Sequence, residues 1–205
     1  MLKCYICKMA RKKKPLIFEN ITVLDAGARG KTVAKAPDGR VIFLSNTVPG
    51  DVVDIRTGKK KKAYFEGTAI KFHEYSDKRV EPVCEHFEHC GGCKWQNMKY
   101  EHQLAYKENE VKNNLIRIGH LDLPKITPIL GCENIFFYRN KMEFSFSNSR
   151  WLTVEEINST EDINDRNACG FHISGMWDKI LDVKKCHLQE DPSNEIRNFI
   201  KNFGI

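Results

Sequence analysis

The sequence lacks any long apolar stretch. No window approaches the roughly 18 uninterrupted apolar residues that a membrane-spanning helix requires. Residues 1–14 are basic, and the apolar run within them is shorter than the hydrophobic region of a secretory signal. With 41% apolar and 29% charged residues, the composition is that of a soluble globular protein. We therefore expect a cytoplasmic protein that does not contact a membrane.

The body of the chain also lacks a net charge. The formal net charge is +6 at pH 7, but residues 1–14 contain six basic residues and no acidic one. The remaining chain therefore has 27 basic and 27 acidic residues. The overall pI is weak evidence for nucleic-acid binding, because local patches must carry such binding. We interpret residues 1–14 as a basic disordered arm, which either contacts phosphate groups or only aids solubility.

A disulfide framework is not expected, although the sequence contains eight cysteines. The cytoplasm is reducing, and the spacing of the cysteines is uneven. Cys4 and Cys7 form a pair without an evident partner pair, and Cys132 and Cys169 stand alone in apolar surroundings. We expect the first pair to be disordered, and we expect Cys132 and Cys169 to be small core residues.

Three further cysteines lie close together, in the pattern Cys84-x5-Cys90-Gly-Gly-Cys93. Three thiolates converge on one site only where the chain wraps tightly, and the two glycines would permit this through positive φ angles. A four-iron cluster needs a fourth ligand, which usually comes from a distant segment. We choose Cys186 for this role, because it follows a predicted strand that would hold it beside the loop.

Spacing alone leaves three interpretations of these thiols open. They could hold an iron–sulfur cluster, hold zinc, or be buried without a ligand. Structural zinc sites usually have two separate halves with two ligands each. Here one segment supplies three thiolates, with His86 and His89 inside the loop. This pattern favours the iron–sulfur cluster over the other two interpretations.

Residues 15–78 are predicted to form a small OB-like β-barrel. Asp38-Gly39 lies between two apolar segments and is a strong hairpin signal, because a tight turn needs positive φ angles. Pro49-Gly50 marks a second turn, and the lysines of 59–62 mark a third, basic turn. The predicted strands are 17–24, 31–36, 41–44, 52–56 and 64–71. Barrels of this kind often bind single-stranded nucleic acid.

Residues 79–205 are predicted to mix helices and strands, so the fold class is mainly β with some α. A helix is predicted over 97–118, with an apolar face formed by Tyr100, Leu104, Val111, Leu115 and Ile118. Met142, Phe144 and Phe146 alternate with polar residues, which predicts a half-buried strand over 141–147. The remaining predictions are a surface insertion near 150–167, strands over 169–173 and 180–183 separated by a turn at 174–175, and a helix over 194–203.

These segments together resemble the RNA uracil-5-methyltransferases that carry a [4Fe-4S] cluster, of the 23S ribosomal RNA type. The resemblance starts from Cys84-x5-Cys90-Gly-Gly-Cys93-x2-Gln96, followed by Tyr100 and a long helix. Residues 38–43 and 48–51 resemble the TRAM domain of that family, and residues 138–141 and 180–186 resemble its central domain. The resemblance covers residues 15–205.

The resemblance implies a TRAM barrel followed by a cluster-binding α+β central domain. In that family the fourth cluster ligand follows the segment that resembles Asp182-Val183, which supports Cys186. The implied cofactor is a [4Fe-4S] cluster, held by four residues: Cys84, Cys90, Cys93 and Cys186. The implied partner is RNA, expected to be ribosomal, and we expect the chain to be a monomer.

The sequence departs from the family in one respect. Nothing in it matches the family's S-adenosylmethionine-binding domain, which also holds the catalytic cysteine. The nearest glycine pair, Gly27 and Gly30, lies inside the predicted barrel and not between a strand and a helix. We therefore expect the recognition part of such an enzyme, truncated before its methyltransferase domain and inactive by itself. The alternatives are a stand-alone RNA-binding module with a structural metal and, ranked last, an electron carrier.

The candidate RNA contacts are positively charged side chains, which neutralise phosphate groups. They are Lys59, Lys60, Lys61, Lys62, Arg139 and Lys141. For the four consecutive lysines, a solvated basic turn is an equal alternative. Arg139 and Lys141 also belong to the segment that resembles the family's central domain. The aromatic residues Phe43, Phe65 and Trp95 are expected in the core and not as platforms for base stacking.

Overall fold

The first half of the chain folds into a closed five-stranded β-barrel. The computed structural model describes residues 15–60, 63–160, 163–173 and 176–204. The strands are β1 (Ile17–Ala26), β2 (Thr32–Lys35), β3 (Val41–Leu44), β4 (Val52–Lys60) and β5 (Tyr64–Glu74). They follow the order β1-β2-β3-β5-β4 around the barrel, in which β3 and β5 pair in parallel and the other pairs are antiparallel. The mainly β class and the closed barrel are therefore confirmed.

Local turn chemistry explains how the barrel strands are connected. Gly39 has a φ of +84°, and the Ala36 N–H donates to the Arg40 carbonyl at 2.9 Å, so the predicted hairpin turn is confirmed. The predicted basic turn at 59–62 is wrong at its start, because β4 continues through Lys60, which pairs with Phe65. Lys61 and Lys62 lie outside the described residues.

The barrel interior is apolar and fully enclosed. Side chains that alternate along each strand point inward, as the period of a half-buried strand requires. The buried cluster consists of Val23, Ala34, Ala36, Ile42, Leu44, Val53, Ile55 and Phe65. Because the strands close on themselves, this core does not depend on any other part of the chain for its cover.

Helix α1 (Tyr100–Arg117) begins three residues later than predicted and lies on the surface. The predicted apolar face is wrong at Val111 and Ile118, which are 56% and 75% exposed, and its other three residues are half-buried, so no residue of α1 is buried. The helix is held largely by polar contacts with an irregular segment. The Tyr100 hydroxyl accepts from the Cys132 N–H at 2.9 Å, and the Glu108 carboxylate accepts from the Ile129 N–H at 3.0 Å.

A second, three-stranded sheet follows, with the antiparallel order β6-β7-β8. Its strands are β6 (Ser145–Ser147), β7 (Ala168–Ile173) and β8 (Met176–Asp182), and the helices α2 (Val154–Asn158) and α3 (Ser193–Gly204) complete this half. Gly170 permits the close approach of β7 to the neighbouring strand, since an added Cβ would lie 2.0 Å from the Leu181 carbonyl oxygen. The predicted turn at 174–175 lies outside the described residues.

The predicted strand over 141–147 is wrong in length and in phase. Only Ser145–Ser147 pair with β7, and Phe146 is 46% exposed. Met142 and Phe144 do pack against the core of this half, so the inward-facing phase changes between Phe144 and Ser145. In the segment 150–167, the Trp151 side chain packs into the same core. Within the described ranges, no helix is both long and apolar enough to cross a membrane.

Candidate metal centre and adjoining cleft

The three clustered cysteines lie in a loop that wraps by successive tight turns. The Phe87 N–H donates to the Cys84 carbonyl at 3.0 Å, and the Cys90 N–H donates to the His86 carbonyl at 2.7 Å. A β-bridge between Cys90 and Ile173 attaches the loop to β7. The loop that carries the thiols is therefore a structured part of the second half of the molecule.

The two glycines of this loop contribute differently from the prediction. Among the described residues, the glycines with positive φ are Gly30, Gly39 and Gly50, so the expected positive φ at Gly91 and Gly92 is wrong. The hydrogen-bonded turns before Cys90 supply the curvature instead. The Gly92 N–H does lie near a thiol, 3.4 Å from Cys90 Sγ, as expected for a backbone donor beside sulfur.

Cys186 approaches the loop from the chain segment that follows β8. Its side chain is buried, with 7% exposure, and packs with Leu181 and Val183. The Lys184 N–H donates to His86 Nε2 at 3.0 Å, which fixes the segment of Cys186 directly to the cysteine loop. Residues almost one hundred positions apart are thereby joined by a specific hydrogen bond.

All four predicted ligands line one small cavity of about 20 Å³. They are Cys84, Cys90, Cys93 and Cys186. A space of this size holds about one water molecule. No group of three or more histidine, cysteine, aspartate or glutamate side chains among the described residues is arranged closely enough to hold a metal ion. The structure brings the predicted ligands to one place, and a single-ion site is not preformed there.

Burial raises the pKa of the thiols of Cys84, Cys90 and Cys93, and the neighbouring thiols raise it further. Hydrogen bonds to sulfur act in the opposite direction, and Gln96 Nε2 donates to Cys93 Sγ at 3.2 Å. The side-chain oxygen of Gln96 accepts from the Cys84 N–H at 3.2 Å, so this residue connects both ends of the loop.

In its chemistry, the donor set fits a soft metal centre. Thiolates select zinc, copper(I) and iron–sulfur clusters over harder ions. Metal binding is often coupled to the final ordering of its ligands. The residues therefore fit a thiolate-ligated group, because they are of the right donor type and lie around one cavity. Binding would have to draw the sulfurs into their final geometry.

The other cysteines have separate outcomes. Cys169 is buried, with 1% exposure, so its prediction as a core residue is confirmed. The same prediction for Cys132 is wrong, because this residue is exposed in the irregular segment beside α1. Cys4 and Cys7 lie outside the described residues.

A large cleft of about 950 Å³ adjoins the cysteine loop. Its walls come from the turn after β1, the cysteine loop, α1 and the segment 132–142. Cationic and aromatic side chains line it, among them Arg29, Lys94, Arg139, Tyr100 and Tyr138. Three glutamates also line it, so the cleft is cationic only in its balance of charges. Cys93 and Gln96 line the cleft and the small thiol cavity alike, so the two sites share a wall.

The predicted RNA contacts are not all brought together. Arg139 is exposed on the cleft wall, and its backbone N–H donates to the Leu188 carbonyl at 2.8 Å. Lys141 points to solvent and pairs with Glu143 at 2.8 Å, outside the cleft lining. Lys59 and Lys60 lie at the end of β4, while Lys61 and Lys62 are outside the described residues. Of the two candidates whose side chains the structure describes, Arg139 lines the cleft and Lys141 does not.

The aromatic predictions are largely confirmed. Phe65 is fully buried in the barrel, and Trp95 is 9% exposed beside Val48 and Met98. Phe43 is half-buried and packs edge to face against Tyr64 at 5.4 Å between ring centroids.

Four residues around the thiols were not singled out for any role at the site: His86, Gln96, Asn194 and Arg197. Their hydrogen bonds join the cysteine loop to the segment 184–186 and that segment to α3. The glutamine three residues after Cys93 was a usable signal, because its amide can reach back to the loop. The contact of His86 with the Lys184 N–H crosses 98 positions, and the contacts of Asn194 and Arg197 depend on how α3 folds back on the preceding segment, which local patterns do not reveal.

Comparison with known proteins shows similarity to RNA methyltransferases. A Bacteroides thetaiotaomicron protein named as an uncharacterized RNA methyltransferase is 51% identical over 177 residues, which cover 86% of this chain and 39% of that protein. A Porphyromonas gingivalis protein of the same name is 41% identical over 184 residues, covering 88% and 39%. A Chlorobaculum tepidum protein, also named as such, is 39% identical over 197 residues, covering 95% and 41%. No protein-family model matches the chain.

A solved structure supports the fold. The Pyrococcus abyssi tRNA (uracil-54, C5)-methyltransferase, in complex with S-adenosyl-L-homocysteine, aligns with a TM-score of 0.52 and 22% identity over 89% of this chain and 36% of that one. The chain spans about 40% of the length of the curated relatives it matches. Over most of its length it is thus similar to part of several proteins named as RNA methyltransferases, and it shares the fold of part of a tRNA methyltransferase.

Proposed function

We propose that this chain is the RNA-recognition and [4Fe-4S]-binding portion of an S-adenosylmethionine-dependent RNA (uracil-5-)-methyltransferase that acts on ribosomal RNA in the cytoplasm. The observation that carries the proposal is the convergence of four cysteines, from two distant segments, on one cavity beside a cationic cleft. The similarity to proteins named as RNA methyltransferases supports the class of reaction. Methyl transfer itself belongs to the proposed whole enzyme.

The cleft supplies the recognition step in this proposal. Guanidinium groups such as that of Arg139 match phosphate geometry, and exposed aromatic rings such as that of Tyr138 offer a face on which an unstacked base can rest. Sequence-specific RNA recognition relies on such unstacked bases, and a target uridine must leave its stack before it is modified. The closed barrel presents a second surface, at whose β4 end the lysines of 59–62 begin.

The cluster would be held by Cys84, Cys90, Cys93 and Cys186. When bound, it would act as a structural staple that joins the cysteine loop to the segment after β8. Gln96 and the Gly92 N–H donate to the sulfurs of Cys93 and Cys90, which stabilises thiolates. His86 holds the two segments in register through the Lys184 N–H.

RNA binding tests the recognition step. The affinity of the purified chain is measured for a 23S ribosomal RNA fragment and for a transfer RNA transcript at several salt concentrations. We expect tighter binding to the ribosomal fragment. Arg139→Gln should weaken binding and reduce the slope of log K against log salt by about 1, as the loss of one phosphate contact does.

Arg166→Gln is the matched control, because Arg166 is also exposed and lies outside the cleft lining. It should leave the affinity unchanged. Equal weakening by both substitutions would contradict a role for the cleft. Tighter binding to transfer RNA would contradict ribosomal RNA as the substrate and favour transfer RNA.

Anaerobic purification tests the cofactor. We expect a broad absorption band near about 400 nm and loss of that band in Cys186→Ala, because a ligand is removed. Cys132→Ala is the control, since Cys132 is exposed and lies away from the thiol cavity. A colourless zinc protein, or equal loss in both variants, would contradict the ligand assignment.

A further inference from the structure

The first turns of α3 hold the backbone of Cys186 on both sides. Asn194 Oδ1 accepts from the Cys186 N–H at 2.7 Å, and Asn194 Nδ2 donates to the Cys186 carbonyl at 3.2 Å. Asn194 is only 5% exposed. One buried amide side chain therefore satisfies both backbone polar groups of this residue, which fixes the direction from which its sulfur approaches the cavity.

Arg197 lies one helical turn further along and is also buried, with 5% exposure. Its Nη1 donates to Asn194 Oδ1 at 2.9 Å, and its Nη2 donates to the Lys184 carbonyl at 2.7 Å. The guanidinium lies 4.9 Å from the centre of the Phe144 ring. Arg197 thus positions Asn194 and holds the segment 184–186 against α3.

The charge of Arg197 has no carboxylate partner in the part of the chain that the structure describes. Its side chain contacts amide oxygens, a carbonyl and an aromatic ring, and its Nε has no hydrogen-bond partner among the described residues. Asp182 is already engaged by Lys201 at 2.7 Å and by the Cys169 N–H. The charges of Asp182 and Asp191 act on Arg197, but neither carboxylate forms an ion pair with it in the described residues, and a buried cation without a direct ion pair is unfavourable. Some anionic group near it would relieve this penalty.

The thiolate centre would supply such an anionic group. Burial lowers the pKa of Arg197, while the charges of Cys169 and Cys186, and to a smaller extent those of Asp182 and Asp191, raise it. Cys186 is tied to Arg197 through Asn194, and it lines the cavity of the four thiols. A cluster with four thiolate ligands brings buried negative charge to this place, and net charge near a cluster sets its reduction potential.

We propose that Arg197 is the built-in counter-ion of the thiolate centre and, with Asn194, the positioning residue for Cys186. The proposal rests on the cluster proposed above. It assigns α3 a role in setting the electrostatics of the site, beyond its packing against β7. Removing the positive charge while keeping a polar side chain should destabilise the reduced, more negative form of the cluster.

The test compares Arg197→Gln with Arg197→Lys in the anaerobically purified chain. Iron content and the one-electron reduction potential are measured by a redox titration followed by electron paramagnetic resonance. We expect Arg197→Gln to favour the oxidised form by about tenfold, which is a shift of about 59 mV to more negative potential for one electron. Arg197→Lys keeps the charge and should stay near the wild-type potential. If Arg197→Gln loses the cluster altogether, retention in Arg197→Lys supports the proposal and loss in both overturns it.

Arg150→Gln is the control for a half-buried arginine that has a carboxylate partner, since Arg150 pairs with Glu156 at 2.8 Å. It should leave the potential unchanged. Unchanged potentials in both Arg197 variants would overturn the counter-ion role while leaving the proposed cluster intact. A wild-type chain that binds no iron would instead overturn the proposed function, and the counter-ion role with it.

Discussion

The barrel and the second sheet achieve burial in different ways. The barrel encloses eight apolar side chains, and the backbone groups of its strands hydrogen-bond to neighbouring strands around a closed ring. The second sheet has three strands and a smaller buried cluster, in which Cys186 accompanies Leu181 and Val183. Much of the order around that cluster comes from side chains that bond to backbone groups, such as Asn194 and His86.

If the proposed cluster is present, this difference predicts which half depends on it. Apolar burial in a closed barrel is sufficient for its own stability, as in small domains with one core. The second half has a smaller apolar core that also contains a buried cation and two buried thiols, so apolar burial stabilises it less. We therefore infer that the barrel folds without a metal and that the second half needs one.

The largest expected effect is that of metal removal. Chelation should strip amide protection in β7 and β8, because structural metal sites contribute folding free energy outright. The amides of β3 and β5 should keep their protection. Hydrogen exchange followed by mass spectrometry measures both halves in one experiment. Simultaneous loss of protection in both halves would contradict the inference that only the second half needs a metal.

A buried ion pair is the exception within the barrel half. Asp51 is fully buried and pairs with Arg79 at 2.7 Å, and it also accepts from the Val48 N–H. Asp51→Ala should lower the free energy of unfolding by about 3–5 kcal/mol, because Arg79 loses its partner and the Val48 and Ser76 N–H groups lose their buried acceptor. Urea denaturation measures this change.

The control for Asp51 is the exposed pair of Lys141 and Glu143. Glu143→Gln should leave the free energy of unfolding within the error of the measurement, since exposed pairs contribute little. Comparable losses from both substitutions would contradict the role of Asp51 as a buried anchor.

Truncation of one core leucine in each half sharpens the comparison. Leu44 is fully buried in the barrel, and Leu181 is 6% exposed beside Cys186. Leu44→Ala should lower the free energy of unfolding by about 2–5 kcal/mol, as cavity formation does, and leave the iron content unchanged. Leu181→Ala should lower the iron content as well. Equal iron content in the two variants would mean that the second core does not support the site.

The smallest expected effect concerns the pH dependence of the barrel. The Asn20 N–H, 2.9 Å from Asp54 Oδ1, and then His73 lower the pKa of the Asp54 carboxyl. A lowered folded-state pKa stabilises the fold above the unfolded pKa of about 3.9, and this stabilisation is lost as the pH falls through the folded value. The difference in stability between wild type and Asp54→Asn should therefore be present at pH 7 and shrink in acid. A difference that grows in acid would contradict the lowered pKa of Asp54 in the folded state.

Local chemistry made the barrel predictable. Strand alternation and turn residues such as Gly39 and Gly50 act over a few positions, and the closed barrel follows from them. The exposed face of α1 was not predictable, because periodicity does not tell whether a partner covers a helix. Val111 and Ile118 have the spacing of a buried stripe and stay in solvent.

The sequence predicted which four cysteines lie together, and it did not predict what surrounds them. Cysteine spacing and the strand before Cys186 were visible in the sequence, and the four thiols line one cavity. Asn194 and Arg197 are ordinary polar residues of a helix when viewed locally. Their contacts with Cys186 and Lys184 depend on how α3 folds back, which no short pattern encodes.

Native mass spectrometry of the anaerobically purified chain tests the central claim most directly, because it counts the metal and sulfide atoms bound to each molecule. The account predicts about four irons and four sulfides on the wild-type chain, and none on Cys186→Ser. A bound zinc ion, or a wild-type chain without metal, would contradict it.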